Sequence, residues 1–325
     1  MADQETSPGR LRGARRKLAT FVLLVLALPL FVLAVLRVTG IDGNRYTIAA
    51  LAMTPYVAVG GALLGVVALL LRRWWTGAVV ILLVVALGVV VLPRMYAADQ
   101  PGVQGRSLRV MALNLRLGNA DPKAVVDLVK ANRVDVLSLL ELNQAEADAL
   151  DQAGLFGVLP QRLLHPAPGA SGSGLASAHP LTERKLAGDS QFAQPGAVLD
   201  LGDGAQAEVV AVHTLAPVVS AATWADELAG LPEPTADLPV RILAGDFNAT
   251  LDHAAFRGLL RAGYADAADE RGEGFKPTWP GELFPPPVTI DHVLVDDRVA
   301  VRDYRVFDVP GTDHDAVFAD LSIPV

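Results

Sequence analysis

Three apolar runs, Leu18 to Leu36, Thr47 to Leu71 and Thr76 to Leu92, occupy most of the chain before residue 95. Each is close to the roughly 20 residues a helix needs to cross the hydrocarbon core of a bilayer. None shows the polar stripe, repeating every 3.6 residues, that a helix on the surface of a soluble bundle keeps. A cleaved signal peptide fits poorly, because the first run is long for a signal core and two more follow it. The sequence therefore predicts three transmembrane α-helices, with the lipid bilayer as the first partner.

Basic residues set the orientation. Arg10, Arg12, Arg15, Arg16 and Lys17 precede the first run, and Arg72 and Arg73 separate the second from the third, so both segments are expected in the cytoplasm. The loop from Arg37 to Tyr46 carries only Arg37 and Arg45 and is expected outside. Three crossings then place everything after Arg94 outside the membrane as well. The expected organisation is a basic cytoplasmic tail over residues 1–17, disordered over 1–9, and a membrane region over 18–94. A short linker follows over 95–106, marked by Pro101, Gly102 and Gly105, and then a domain over 107–325. Trp74 and Trp75 suit an interfacial belt. The protein is thus expected to be a multi-pass cell-membrane protein with an extracytoplasmic domain.

Charge divides along the same line. Up to Arg94 there are 10 Lys and Arg against 3 Asp and Glu, which leaves 17 basic and 32 acidic residues beyond it, a net charge of about −15. Such a surface repels a long polyanion, so nucleic acid is disfavoured as a partner, while a small phosphorylated molecule or lipid head group is easier to accommodate. The chain has no cysteine, which excludes disulfides, thiolate metal sites and cysteine nucleophiles.

Beyond Ser107 the pattern alternates between strand-like apolar runs and amphipathic helices, an α/β signature. Strands are expected at Leu108 to Leu115, Val134 to Leu140, Glu208 to His213, Val240 to Ala244, Thr289 to Val295, Val299 to Phe307 and Ala316 to Leu321. Helices are expected at Pro122 to Lys130, with Asp121 as N-cap and Pro122 at the first helical position, and near Ala221 to Leu228 and Leu251 to Ala262. Pro285, Pro286 and Pro287 make a locally Pro-rich loop.

Polar residues recur where these apolar strands end. Asn114 follows Val110 to Leu113, Glu141 ends Val134 to Leu140, and His213 ends Val209 to Val212. Asp246 and Asn248 follow Ile242 to Ala244 and point the same way by strand alternation, and Asp313 and His314 precede the last strand. A carboxylate aimed into a sheet mouth is costly without a cation beside it. Hard oxygen donors, no cysteine and scattered histidines suit Mg²⁺ or Mn²⁺ better than zinc.

In this order and spacing the stretches Met111-Ala112-Leu113-Asn114, Leu139-Leu140-Glu141, Gly174-Leu175-Ala176-Ser177, Val212-His213, Gly245-Asp246-Phe247-Asn248, Thr278-Trp279-Pro280, Ile290-Asp291-His292-Val293-Leu294 and Gly311-Thr312-Asp313-His314 resemble the endonuclease/exonuclease/phosphatase, or DNase-I-like, superfamily. The resemblance covers essentially residues 107–325. It implies a four-layer αββα sandwich with the site at the mouth between two sheets. It further implies Glu141 as principal metal ligand with Asn114 and Asp313 beside it, and Asp246 as the residue that orients or deprotonates the attacking water. Asn248 and His213 would hold phosphate oxygens, and His314, oriented by Asp291, would be the acid/base partner or stabilise the transition state.

Three positions depart from the family pattern: Leu140 stands where Gln is usual, Arg116 where nucleases often carry a second acid, and Asp315 where Arg or Lys is common. His165, His179, His253 and His292 read as structural or surface residues. The implied activity is metal-dependent hydrolysis of a phosphodiester or pyrophosphate at the outer face of the membrane, with an extracytoplasmic nuclease as the alternative. Membrane-anchored members with this layout resemble the VanJ-type proteins associated with glycopeptide-antibiotic resistance. That likeness makes a polyprenyl-linked cell-wall precursor the expected substrate class.

Overall fold

The computed structural model describes residues 8–103, 105–237, 239–281 and 286–324. It comprises two compact bodies, one of residues 1–41 with 49–92 and one of residues 42–48 with 93–325. The tail reading over residues 1–7, and Pro285 of the Pro-rich loop, lie outside the described residues.

The first body is helical. Helix α1 (Pro8–Thr39) already includes the basic stretch before Leu18, so from Pro8 onward that stretch is helix and not tail. Helices α2 (Arg45–Ala52), α3 (Thr54–Leu70) and α4 (Trp74–Val91) follow. Two continuous helical stretches, Gly13–Thr39 and Trp74–Met95, are long and apolar enough to cross a membrane. The run from Thr47 to Leu71 is not the single helix expected, because α2 and α3 meet at 63°. Pro55 explains the break: it sits in the first turn of α3, where its missing N–H costs nothing, and it cannot continue a helix from the preceding turn. Where α1 and α3 touch, a Cβ on Gly61 would come within 2.8 Å of a Leu30 methyl, so any larger residue there requires the Leu30 side chain to shift.

The second body contains two six-stranded mixed sheets. The first runs through β1 (Arg106–Asn114), β2 (Val136–Leu140), β3 (Gln161–His165) and β4 (Ser173–Ser177). The second begins with β5 (Leu181–Glu183), β6 (Gly196–Gly202), β7 (Ala205–His213), β8 (Val240–Asp246) and β9 (Tyr264–Asp266), and β10 (Asp291–Asp296) joins it. Strands β11 (Ala300–Phe307) and β12 (Ala316–Ile323) return to the first sheet. The orders are β11-β12-β1-β2-β4-β3 and β5-β6-β7-β8-β10-β9. Each sheet has one parallel pair at its centre, β1 with β2 and β7 with β8, and is otherwise antiparallel.

Strand alternation builds three cores, and hence four layers. Along β1, Leu108, Val110 and Ala112 fill the space between the sheets, while Met111 and Leu113 face helices α5 (Pro122–Ala131), α6 (Gln144–Gln152) and α7 (Leu155–Val158). Along β7, Ala207, Val209 and Ala211 face inward, and Val210 and Val212 pack under α8 (Ala221–Ala229) and α9 (Ala254–Arg261). Asp121 caps α5 as expected, accepting from the amides of Lys123 and Ala124 at 2.8 and 3.2 Å.

The stretch read as a linker is laid along this body. Ala97 pairs with Arg271, and the Ala98 amide donates to the carbonyl of Glu270, the last residue of the short helix α10 (Ala267–Glu270), at 3.0 Å. Gln100 bonds both the Glu270 carboxylate and the Val301 amide at 2.7 Å. Arg94 forms a buried fork with Asp252 at 2.7 and 2.8 Å. Residues 42–48 are held just as closely: Asp42 accepts from the Ala255 amide at 3.0 Å, capping α9, and the Ile48 carbonyl accepts from His253 Nε2 at 2.9 Å.

Candidate active site

The inward rows of four strands run past the apolar core and end in polar residues. Asn114 extends the row Leu108, Val110, Ala112. His213 extends Ala207, Val209, Ala211, and Asp246 extends Val240, Ile242, Ala244. Asp291 begins the row continued by Val293 and Val295. Register brings the ends together, since Asn114 pairs with Leu140 in the first sheet and Asp246 pairs with both His213 and Asp291 in the second. Below the mouth, Ser138 Oγ donates across the sheets to the Ala244 carbonyl at 2.9 Å. Glu141 does not follow the alternation; its left-handed φ of 56° re-aims the side chain to the same mouth. Gly245 is obligatory, because a Cβ there would stand 2.0 Å from the Val212 carbonyl oxygen.

Asn114 joins the two sheets, its Nδ2 donating to Glu141 Oε1 at 3.2 Å and to Asp246 Oδ2 at 3.1 Å. Its Oδ1 accepts from the Arg116 amide at 2.9 Å, and Glu141 Oε2 accepts from the Leu117 amide at 2.7 Å. His213 Nε2 lies 3.9 Å from both Glu141 Oε1 and Asp246 Oδ2, and its ring stacks on Phe192 at 4.6 Å. His314 Nδ1 donates to Asp291 Oδ2 at 2.9 Å, and its Nε2 lies 3.9 Å from Asp246 Oδ2. Six of the expected site residues, Asn114, Glu141, His213, Asp246, Asp291 and His314, thus form one network.

The other two sit beside it. Asn248, also in a left-handed conformation, donates from its amide N–H to Asp246 Oδ1 at 2.8 Å and from Nδ2 to the Thr214 carbonyl at 2.9 Å. Asp313 lies at the rim, accepting from Trp279 Nε1 at 3.2 Å, with Arg116 Nε 3.6 Å away.

Burial and charge separate the two histidines. Burial, reinforced by the nearby His314 charge, pushes His213 down to about 3, so it is neutral. Burial opposes charge on His314 too, but the carboxylates of Asp291, Asp246 and Asp313 outweigh it and push the imidazole up to about 10. Burial, with the Asp291 charge, raises Asp246 above the ordinary carboxylate range, against His314 and the donors Asn248 and Asn114.

Ligand atoms of Asp246, Asp291 and His314 lie within 4.8 Å of one another, a buried cluster of metal-ligating type. Within this cluster the His314 Nδ1 bond ties His314 and Asp291 together as a dyad. Glu141, whose carboxylate accepts from the Asn114 amide with His213 close by, offers the oxygen donor suited to a hard divalent cation.

Several supporting residues carried no role in the sequence reading. Thr312 Oγ1 donates to the Asn114 carbonyl at 2.8 Å and accepts from the His314 amide at 3.1 Å, locking the last loop to β1. Thr278 Oγ1 accepts from the amides of Ile290 and Asp291 at 3.0 and 3.1 Å. Both lie within recognisable stretches. Phe192 lies in a loop with no periodicity to mark it.

Stacked mixed sheets with carboxylates, amides and imidazoles from both gathered at one mouth define the class of two-sheet phosphoester hydrolases. The chain belongs to the endonuclease/exonuclease/phosphatase family, whose model matches residues 111–314. Among solved structures, a humanised D. rerio TDP2 is 15% identical and covers 66% of this chain and 99% of its own, with a TM-score of 0.52. D. rerio TDP2 complexed with single-strand DNA product is 16% identical over 66% of this chain and 99% of its own, with a TM-score of 0.51. A family member from Bacteroides thetaiotaomicron is 14% identical over 69% and 98%, with a TM-score of 0.50. At these identities the likeness is one of fold. No curated protein matches the sequence.

Proposed function

We propose that this protein is a membrane-anchored, divalent-metal-dependent phosphoesterase that hydrolyses a phosphodiester or pyrophosphate on a lipid-linked substrate at the outer face of the membrane. The observation that carries the catalytic half is the single hydrogen-bonded network from Asn114 through Glu141 and Asp246, with the Asp291–His314 dyad beside it. Glu141 is the principal ligand for Mg²⁺ or Mn²⁺, with Asn114 and Asp313 completing the set. The ion, when bound, neutralises phosphate charge and polarises the scissile bond. Asp246, held by Asn114 and the Asn248 amide, receives the proton of the attacking water. His213 and Asn248 hold phosphate oxygens, and the His314 imidazolium, oriented by Asp291, faces the charge that develops on the phosphoryl group.

The membrane half rests on chain connectivity. Residues 42–48 and 93–325 belong to one body, which supports a reading in which the segment between them crosses the membrane and returns. The broken helix α2–α3 as one span and α4 as the next satisfy that, and α1 then places the basic N-terminal stretch on the opposite, cytoplasmic side. An acidic domain beside a bilayer favours a head-group phosphate, and a polyprenyl-linked cell-wall precursor, as for VanJ-type proteins, is the leading substrate class. A nuclease is the second reading, favoured by the likeness to the TDP2 structure holding single-strand DNA product and opposed by the net charge of about −15.

The test is a panel of lipid pyrophosphates, soluble phosphodiesters and plasmid DNA, offered with Mg²⁺ or Mn²⁺ to the full-length protein in nanodiscs. Preferred cleavage of lipid phosphates supports the proposal. Preferred nicking of plasmid overturns it in favour of the nuclease, and no cleavage of any member rejects both.

A further inference from the structure

The catalytic body exposes few large apolar side chains, and those few are not scattered. Apart from Leu117 at the mouth, they are Tyr46, Met95, Tyr96, Val218, Val219 and Phe275 among the described residues. Tyr46 lies in the first turn of α2, within the segment held by the start of α9 through Asp42 and His253. Met95 and Tyr96 follow Arg94, which is anchored to Asp252, and Phe275 follows Gly274, whose amide donates to the Arg94 carbonyl at 3.2 Å.

Val218 and Val219, 66% and 71% exposed, immediately precede α8. One helical turn beyond the Ser220 cap, about 5.4 Å along the axis, Trp224 packs edge-on against His253, and Ile48 joins the same cluster. The exposed apolar side chains therefore sit on segments anchored at or beside α8 and α9, among them residues 42–48 and 94–97, the two segments whose sequence neighbours are apolar helices. Arg45 lies over the Tyr46 ring at 4.9 Å, the pairing of aromatic and cation that suits a head-group layer.

We infer that this face is a lipid-docking surface: Tyr46, Met95, Tyr96, Phe275 and the Val218–Val219 tip enter the boundary between head groups and acyl chains of the leaflet from which the helices emerge. The inference rests on the membrane reading above and extends it, because a flexible tether would leave the domain free to turn any face to the bilayer. The tip belongs to the loop that begins at His213, so docking sets the mouth of the site beside the membrane plane, where a lipid head group arrives without leaving its leaflet.

The chain has no cysteine, so single cysteines give clean reporters. Nitroxide labels at Val218→Cys and Val219→Cys are compared in phospholipid nanodiscs with Leu82→Cys on α4 and Lys123→Cys on α5. Collision with lipid-soluble oxygen and with an aqueous nickel chelate is measured at each. The expected result is that positions 218 and 219 resemble 82, with oxygen the stronger relaxant by severalfold, while 123 shows the reverse. Labels at 218 and 219 that behave like 123, while 82 lies in lipid, overturn the docking surface and leave the membrane anchor standing. A label at 82 that lies in water overturns both. Labels at 218 and 219 shielded from both reagents overturn the inference in favour of a protein partner, such as a second copy of the chain.

Discussion

His314 Nδ1 donates to Asp291 at 2.9 Å, and the second nitrogen of the same ring stands 3.9 Å from Asp246. The Asp291 carboxylate thereby fixes the orientation of the His314 ring and favours its positive charge. Asp291→Asn keeps the shape of the site but removes the charge that holds the proton. We expect kcat to fall on the order of 10²–10⁴-fold, the usual range for a positioned acid/base group. The Mn²⁺ concentration giving half activation should change little, because the dyad is not the ligand set. A metal requirement raised by the same factor as the rate loss would show instead that Asp291 and His314 bind the ion.

Arg94 and Asp252 form a buried fork, their side chains 7% and 1% exposed. Arg94→Ala leaves a carboxylate without its main counter-charge inside the body, a change that costs about 3–5 kcal/mol. A large drop in thermal midpoint is expected in detergent or nanodiscs. Lys123→Ala, which removes an exposed pair with Asp127, should leave the midpoint almost unchanged. Equal midpoints for the two variants would contradict the structural role given to Arg94.

His253 makes docking of residues 42–48 dependent on pH. The Thr250 amide donates to Nδ1 at 2.8 Å, so the ring is neutral with its proton on Nε2, which donates to the Ile48 carbonyl. Burial, opposed by the Ile48 carbonyl, holds its pKa below 6.5. A histidine depressed in the folded state contributes stability that is complete above the unfolded value of about 6.5 and is lost as pH falls below it, because the unfolded chain takes up the proton first. His253→Gln should therefore lie furthest below the wild type in thermal midpoint at pH 8, with the gap narrowing towards pH 5. A gap that is constant with pH would mean the ring is not buried neutral.

Much of this was legible in the sequence. Strand alternation alone places Asn114, His213 and Asp246 on the inward face, and recurrent polar ends after apolar runs expose the site. Glu141 was found by its position, although the left-handed turn that aims it has no signal of its own in Leu140-Glu141-Leu142. Short strands such as β5 and β9, three residues each, carry too little pattern to register and exist because longer neighbours pair with them. Hydropathy located Thr47 to Leu71 but did not break it, since the scale is blind to Pro55. The stretch 95–106 looked like a linker because Pro and Gly mark irregular backbone, and irregular backbone can still be pinned, as Gln100 shows. Nor could any local pattern show Asp42 capping a helix more than two hundred residues away, a contact that exists only in the folded chain.

The central claim is that one metal-assisted site, built around Glu141, hydrolyses phosphoesters. Its most direct test is hydrolysis of a lipid pyrophosphate by the full-length protein in nanodiscs, followed through EDTA treatment and Mn²⁺ readdition, for wild type and Glu141→Gln. Removal of Glu141's charge is expected to lower the restored rate on the order of 10²–10³-fold, the scale of losing a principal electrostatic stabiliser. Wild-type hydrolysis should vanish with EDTA and return with metal. Hydrolysis that survives EDTA, or that proceeds at the wild-type rate in Glu141→Gln, would contradict the account.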